Sequence, residues 1–340
     1  MSLWLTDGCN LRCKYCFQSP VRGRNHVPTY IESATIERFL LFCQAQGYNR
    51  IHLFGGEPLL ARNQLFYFVR RSREFLTRPA FELVTNGTLI DAEVMALIEE
   101  NAIGVLLSLD GDRDSHDKYR GGFAKIERWL RRLSAIPDIC VALQVSEVSG
   151  LRNRVHYVWD QGIASVAVNI VENYEWYQPR DVQTFEEEYE QCMLDMLEGK
   201  GVLVDALYSL RVQECSTYRR GCGATWHDVA CSVDGLLYPC HRFPEIGPAF
   251  SVGNVVDGLD KEKTEALREK LDSAINHHTY PYIDSEYCPV SLFLVKGSFE
   301  ALPPVTYCEL VETKHKLVAK YYHQLKAFER LQESSQSMPS

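Results

Sequence analysis

The sequence predicts an α/β fold, a partial (β/α)6 barrel followed by a smaller cysteine-rich region, on three observations. Up to about residue 172, short apolar runs of β-type alternate with longer segments of helical period, the pattern of parallel strands joined by crossover helices. The glycine-rich and polar positions fall just after the strands, the end at which parallel α/β barrels carry their sites. Beyond about residue 200 the alternation gives way to a cysteine-bearing stretch.

Strands are expected at Leu3–Thr6, Ile51–Phe54, Phe81–Val84, Val105–Leu109, Val141–Val145 and Ser165–Ile170. The helices between and after them are expected near Glu32–Gln46, Asn63–Phe75, Ala92–Asn101, Phe123–Ser134, Leu151–Asp160 and Phe185–Leu197. Ser33, Asp91 and Thr184 stand at helix starts, where a short side-chain oxygen can accept from free backbone N–H groups. Downstream, the pattern gives a hairpin around Asp234–Gly235, a helix at Lys261–Ile275, an irregular stretch, and a long helix from about Cys308 to Leu331. The expected division is residues 1–200, residues 201–331, and a polar, disordered tail over residues 332–340.

With 340 residues and 46% apolar composition, the chain is neither disordered nor fibrous. No basic segment followed by an apolar run opens it, and no apolar stretch of about 18 residues follows, so a cytoplasmic protein without a membrane span is expected. Twelve cysteines in such a protein read as metal ligands rather than as a disulfide framework. A net charge of −9 speaks against a general grip on nucleic acid, although a local basic groove stays open.

Cys9, Cys13 and Cys16 offer three thiolates in a Cys-x3-Cys-x2-Cys loop, one fewer than completes an iron–sulfur cluster, which leaves one iron open to a ligand. A zinc knuckle is the weaker alternative, because no histidine lies in the loop to complete it. This loop, with Tyr15 before its last cysteine, resembles that of the radical S-adenosylmethionine (SAM) superfamily. The likeness continues in Gly55-Gly56-Glu57-Pro58, in Thr85-Asn86-Gly87, and in Ser108-Leu109-Asp110-Gly111 followed by His116, Asp117 and Arg120. It implies a TIM-like partial barrel with a [4Fe–4S] cluster on the three cysteines. SAM would contact Tyr15, Gly55, Gly56, Glu57, Pro58, Asn86, Ser108 and Asp110, its amino group received by the backbone and the Glu57 carboxylate. His116, Asp117 and Arg120 read better as a hydrogen-bonded structural network.

The later cysteines resemble the SPASM extension of radical SAM enzymes that mature peptides and proteins. Carried over by motif, Cys215, Cys222, Cys240 and Cys288 would ligate one auxiliary [4Fe–4S] cluster, saturated by four thiolates. The run needed for a second auxiliary cluster is absent around His277 and His278, which leaves Cys308 without partners, and Cys231 is a weaker candidate ligand. Cys43, Cys140 and Cys192 read as small buried hydrophobes.

The resemblance implies reductive cleavage of SAM to a 5′-deoxyadenosyl radical, with electrons from a donor such as flavodoxin or ferredoxin. The expected substrate is a ribosomally made peptide, carrying a leader and changed at an unactivated carbon by a crosslink, excision or other step. Maturation of a protein side chain, small-molecule chemistry, and a non-catalytic iron–sulfur scaffold are the alternatives. His241, directly after Cys240, stands where related sulfatase-maturing enzymes carry an acidic candidate base, and imidazole suits that role near neutral pH. Because the chain opens at the first strand, leader binding is expected to need a separate protein or the barrel mouth.

Overall fold

The computed structural model describes residues 1–18, 26–172, 176–214, 224, 228–275 and 288–336. Cys215, Cys222, His277 and His278 lie outside them. Among the described residues one sheet of eleven strands runs through the molecule, in the order β11-β10-β9-β8-β1-β2-β3-β4-β5-β6-β7. Its parallel part comprises β1 (Ser2–Thr6), β2 (Arg50–Gly55), β3 (Ala80–Thr85), β4 (Gly104–Ser108), β5 (Ile139–Val145), β6 (Ser165–Ile170) and the short β7 (Val202–Leu203). The first six are the expected strands, within two residues at each end, and they form the expected partial barrel.

The strands alternate cleanly. In β5, Ile139, Val141, Leu143 and Val145 are buried, while Cys140, Ala142 and Gln144 are half-buried. The buried set packs outward against the helices, as Phe81 of β3 does on Phe68 at 5.4 Å and Phe68 in turn on Phe39 at 6.2 Å. The opposite set, including His52, Phe54, Glu82, Ser108, Ala142, Gln144, Ala167 and Asn169, stays partly accessible. A filled barrel would bury both faces; this one keeps an accessible inner face lined on one side by small residues.

Asp91 caps its helix (Ala92–Glu100), accepting from the N–H groups of Glu93 and Val94. Ser33 and Thr184 do not cap. Ser33 is the first residue of the helix Ser33–Gln46, and Thr184 lies inside the helix Asp181–Leu197, whose start is fixed by Asp181 accepting from the Gln178 N–H at 2.7 Å. Three helices were not anticipated, Arg113–Tyr119, Val204–Glu214 and, in the stretch expected to be irregular, Pro289–Lys296. The expected C-terminal helix is two, Val305–Lys320 and Tyr322–Gln336, and the second runs five residues beyond Leu331.

Beyond the barrel, β8 (Ala230–Cys231) pairs parallel with β1, and a hairpin turn at Asp234–Gly235 leads into β9 (Leu236–Tyr238). Two short antiparallel strands, β10 (Gly253–Asn254) and β11 (Gly258–Leu259), complete this edge. The hairpin thereby covers the β1 edge that would otherwise offer unpaired backbone groups. A small second core gathers Tyr238, Cys240, Phe243, Val252, Leu267, Leu271, Cys288, Val290 and Phe299. The last two helices instead return to the main core through Leu310, Val311, Leu317, Leu325 and Phe328. Lys314, buried there, lies 3.7 Å from Asp205, which also accepts from Tyr189 Oη at 2.6 Å.

No helix among the described residues is long and apolar enough to cross a membrane.

Candidate active site

The loop after β1 carries Cys9, Cys13 and Cys16 over the C-terminal ends of the parallel strands. Burial pushes the Cys13 thiol up to about 11; the Arg120 guanidinium opposes this, and the charges of Cys16 and Cys9 add to it. The three sulfurs therefore share one electrostatic neighbourhood. Among the described residues, however, no three His, Cys, Asp or Glu side chains are gathered as ligands of a single ion. A thiol held protonated in this way surrenders its proton on metal binding, so a positive neighbour such as Arg120 favours ligation.

The loop is pinned on two sides. On one, Asn86 Nδ2 donates to Asn10 Oδ1 at 3.0 Å and lies 3.9 Å from Cys9 Sγ, while Asn86 Oδ1 accepts from the Thr88 N–H and hydroxyl. Asn10 Nδ2 closes that network on Thr88 Oγ1 at 2.8 Å. On the other, Tyr15 Oη donates to the fully buried Asp110, which also faces Arg120 at 3.4 Å and accepts from the Gln144 N–H at 3.1 Å. Trp176 lies edge-on against Tyr15 at 6.1 Å and Tyr119 at 5.6 Å, and Arg120 stands 5.4 Å from the Tyr15 ring.

Gly55 and Gly56 join the second strand to this loop. The Gly56 N–H donates to Thr6 O at 3.0 Å and the Glu57 N–H to Gly8 O at 2.8 Å. Gly55 has φ of +145°, and a Cβ there would sit 2.2 Å from Thr6 O, so only glycine fits. Glu57 holds the turn in place. Its side chain is fully buried and spends its oxygens on the Leu59 N–H (3.1 Å), the Thr85 hydroxyl (2.7 Å) and the Asn86 N–H (2.7 Å). The carboxylate braces the turn after β2 against the loop after β3, and Pro58 opens the short 3-10 turn it caps. What the turn leaves accessible is the half-buried Gly56.

Burial raises Glu57 to about 7 from its ordinary 4.5, against the three hydrogen bonds. The folded state therefore holds its proton more tightly than the unfolded chain, and stability falls as pH rises from about 4.5 through about 7. Glu57→Gln is expected to remove roughly 3 kcal/mol of that dependence. Urea unfolding of both proteins across this range measures it, and parallel curves would refute it.

Asp110 and Tyr15, expected at the cofactor, hydrogen-bond to each other at this end of the barrel. Ser108 is the more available group, half-buried on the inner face at the end of β4. Two buried polar atoms without partners lie at this end of the barrel, Gln18 Nε2 two residues after Cys16 and Ser146 Oγ directly after β5. His116 and Asp117 belong to the structural network. His116 is buried, with Nδ1 accepting from the Asp110 N–H at 3.3 Å and Nε2 facing Gly121 O at 3.2 Å; Asp117 accepts from the Phe123 N–H at 2.9 Å. Arg120 does more than the network required. Only 10% of its side chain is exposed, and its fork has loose contacts to Asp110, leaving donors for a ligand carboxylate.

His241 lies against the inner face, its ring 4.6 Å from that of Phe54 and its carbonyl accepting from Trp4 Nε1 at 3.0 Å. Burial, then the charges of Arg242 and His52, push the imidazole down to about 3. Cys240 and Cys288 are both buried beside Arg242 in the second core. Cys43, Cys192, Cys231 and Cys308 are buried in the main core, while Cys140 is half-buried on the inner face. None of the ten described cysteines is in a disulfide.

A sequence model of the Radical SAM superfamily matches residues 5–140. The GTP 3′,8-cyclase of Chlorobaculum tepidum is 30% identical over 152 residues, 44% of this chain and 45% of that protein. The cysteine-type anaerobic sulfatase-maturating enzyme of Clostridium novyi is 22% identical over 304 residues, 80% of this chain and 81% of that one. The match thus spans about half the length of the cyclase relatives and most of the length of this maturating enzyme. Among solved structures, native anSMEcpe with bound AdoMet has a TM-score of 0.73 at 21% identity, covering 99% of this chain and 100% of its own. The same protein with AdoMet and the Cp18Cys peptide gives 0.74 at 20% identity, with 97% and 98% covered. Residues 5–140 are thus similar to the Radical SAM superfamily, and the chain as a whole shares the fold of anSMEcpe.

Proposed function

We propose that this protein cleaves SAM reductively and oxidises a side chain of a protein or peptide held in the open barrel. The carrying observation is that the loop bearing Cys9, Cys13 and Cys16 is tied to the turn after β2 through Gly8 and to the loop after β3 through Asn10 and Asn86, beside an inner face that stays partly accessible. The extent of the likenesses supports the substrate class. The cyclase relative matches less than half the chain, whereas the Clostridium novyi maturating enzyme matches 80% and the solved anSMEcpe fold 99%. The ribosomally made, leader-bearing peptide expected from the sequence therefore gives way to maturation of a protein side chain.

When bound, a [4Fe–4S] cluster with SAM supplies a 5′-deoxyadenosyl radical after one-electron reduction by a donor such as flavodoxin. Cys9, Cys13 and Cys16 are the ligands proposed to hold it. Arg120 is assigned to the SAM carboxylate, Ser108 on the inner face to another of its polar groups, and a backbone carbonyl of the Gly56 turn to accept from its amino group. Tyr15, Asp110, Asn86 and Glu57 keep these elements in register. Ala142 and Ala167 leave room for a substrate side chain, and Gln144 and Asn169 can orient its polar groups. His241 is neutral at working pH but holds a proton weakly. A general base contributes about 10²–10⁴-fold; His241→Ala is expected to lower product by less than that while 5′-deoxyadenosine continues, and a larger selective loss of product would make His241 the proton acceptor.

The reading is tested anaerobically with dithionite, SAM, and either a cysteine-containing sulfatase peptide or GTP. Mass spectrometry should find 5′-deoxyadenosine together with a loss of mass in the peptide. Conversion of GTP with the peptide untouched would overturn the substrate class, and no 5′-deoxyadenosine from iron-loaded protein with either would overturn the reaction.

A further inference from the structure

Cys13 is buried, but Arg12 and Lys14 on either side of it are exposed, on a chain whose net charge is −9. The Lys14 N–H donates to Tyr119 O at 2.9 Å, which fixes the cysteine loop against the end of the helix Arg113–Tyr119. That helix adds another cation, Lys118, with about half of its side chain exposed. Both lysines gather at the Tyr119 ring, Lys14 Nζ at 5.3 Å and Lys118 Nζ at 5.2 Å from its centre. Trp176, edge-on to Tyr119 at 5.6 Å, extends a half-buried aromatic surface back to Tyr15. The neighbouring carboxylates are already engaged: Glu147 pairs with Lys118, and Asp117 accepts from the Phe123 N–H at 2.9 Å. Lys14 has no carboxylate partner among the described residues.

We propose that Arg12, Lys14 and Lys118, around Tyr119 and Trp176, form the docking surface for an acidic, flavodoxin-type protein that delivers the electron for SAM cleavage. The inference rests on the radical SAM reading of the Cys9, Cys13 and Cys16 loop. Arg12 and Lys14 are bonded to Cys13 in the chain, so a protein seated on them approaches the proposed cluster closely, and electron transfer slows steeply with distance. Charge complementarity identifies the partner: a local surplus of cations on an acidic protein attracts an acidic surface and raises encounter rates by about 10–10³-fold at low ionic strength. The rings of Tyr119 and Trp176 give the patch an apolar centre within a charged rim, the anatomy of an interface, and they suit the apolar edge of an exposed flavin. A small patch is enough, because redox encounters bury less than about 1,200 Å². The step itself moves one electron from the reduced flavin of the carrier to the cluster, and no bond is made or broken. A merely solvated pair of lysines would need neither the aromatic centre nor the place beside Cys13.

Reconstituted, full-length protein is compared with the double variant Lys14→Glu/Lys118→Glu in two assays. In the first, oxidised flavodoxin is titrated into each protein by calorimetry; the variant should bind at least about tenfold more weakly at low salt, and added salt should weaken the wild type far more than the variant. In the second, 5′-deoxyadenosine formation is driven either by reduced flavodoxin or by dithionite, a small reductant that needs no docking surface. The flavodoxin-driven rate should fall by a similar factor, while the dithionite-driven rate and the iron content hold. Lys14→Arg/Lys118→Arg, which keeps both charges, should match wild type in both assays. Equal flavodoxin affinity in wild type and the charge-reversed protein would overturn the proposal. So would an equal fall in the dithionite-driven rate, which would put the effect of the lysines on the cluster and not on the carrier. A ferredoxin that binds and drives the reaction where flavodoxin does neither would overturn the flavin carrier. No 5′-deoxyadenosine with dithionite from iron-loaded wild type would overturn the reaction on which the inference rests, and the binding assay would then decide the docking surface by itself.

Discussion

Cys13→Ala is expected to abolish 5′-deoxyadenosine formation and to remove roughly four irons per chain, while Cys240→Ala removes a similar amount of iron yet leaves 5′-deoxyadenosine formation measurable. The asymmetry follows from the two environments. Cys13 feels the charges of Arg120, Cys16, Cys9 and Asp110, whereas Cys240 lies in a separate small core with Cys288. On the proposed ligand sets only the first cluster would have an open position, so only there would loss of one thiolate abolish SAM binding. Iron and sulfide assays with mass spectrometry of the nucleoside product decide it. Persistence of 5′-deoxyadenosine in Cys13→Ala would show that the three-cysteine loop does not hold the reactive cluster.

The barrel was legible in the sequence because its outward strand faces carry a strict alternation of Ile, Leu and Val, as in Ile139, Val141, Leu143 and Val145. The helix Val204–Glu214 was not, since it follows β7 without a break and buries Asp205 and Ser209 along with Ala206 and Leu210, which blurs its apolar face. The cysteine loop and the glycine turn were legible for a different reason. Their chemistry depends on local spacing, which a sequence displays directly. What holds them in place does not. Tyr15 meets Asp110 across 95 positions, Asn10 meets Thr88 across 78, and Arg242 meets Glu172 across 70. Such pairs exist only once parallel strands have brought their C-terminal ends to one side. The same folding makes Glu57 a brace, because Thr85 and Asn86 arrive as donors from the neighbouring strand.

The braces carry a measurable part of the stability, and Asp110 carries most of it on the β4 side. Its carboxylate is wholly buried and accepts from Tyr15 Oη, from Arg120 and from the Gln144 N–H. Asp110→Ala leaves a guanidinium that is 10% exposed without its counter-charge, together with a buried phenol and a backbone N–H without acceptors. Breaking a buried pair from one side costs about 3–5 kcal/mol, and the orphaned donors push the loss toward the upper end. The cofactor-free protein should therefore unfold at distinctly lower urea concentration. Asp110→Asn should lose less, because an amide oxygen still accepts from one donor. The cysteine loop would lose one of its two anchors at the same time, so iron retention should fall in parallel with stability in both variants. A loss under about 1 kcal/mol, the scale of a screened surface pair, would mean that water reaches Arg120 across the 3.4 Å contacts and that Asn86, Asn10 and Thr88 alone keep the loop in register.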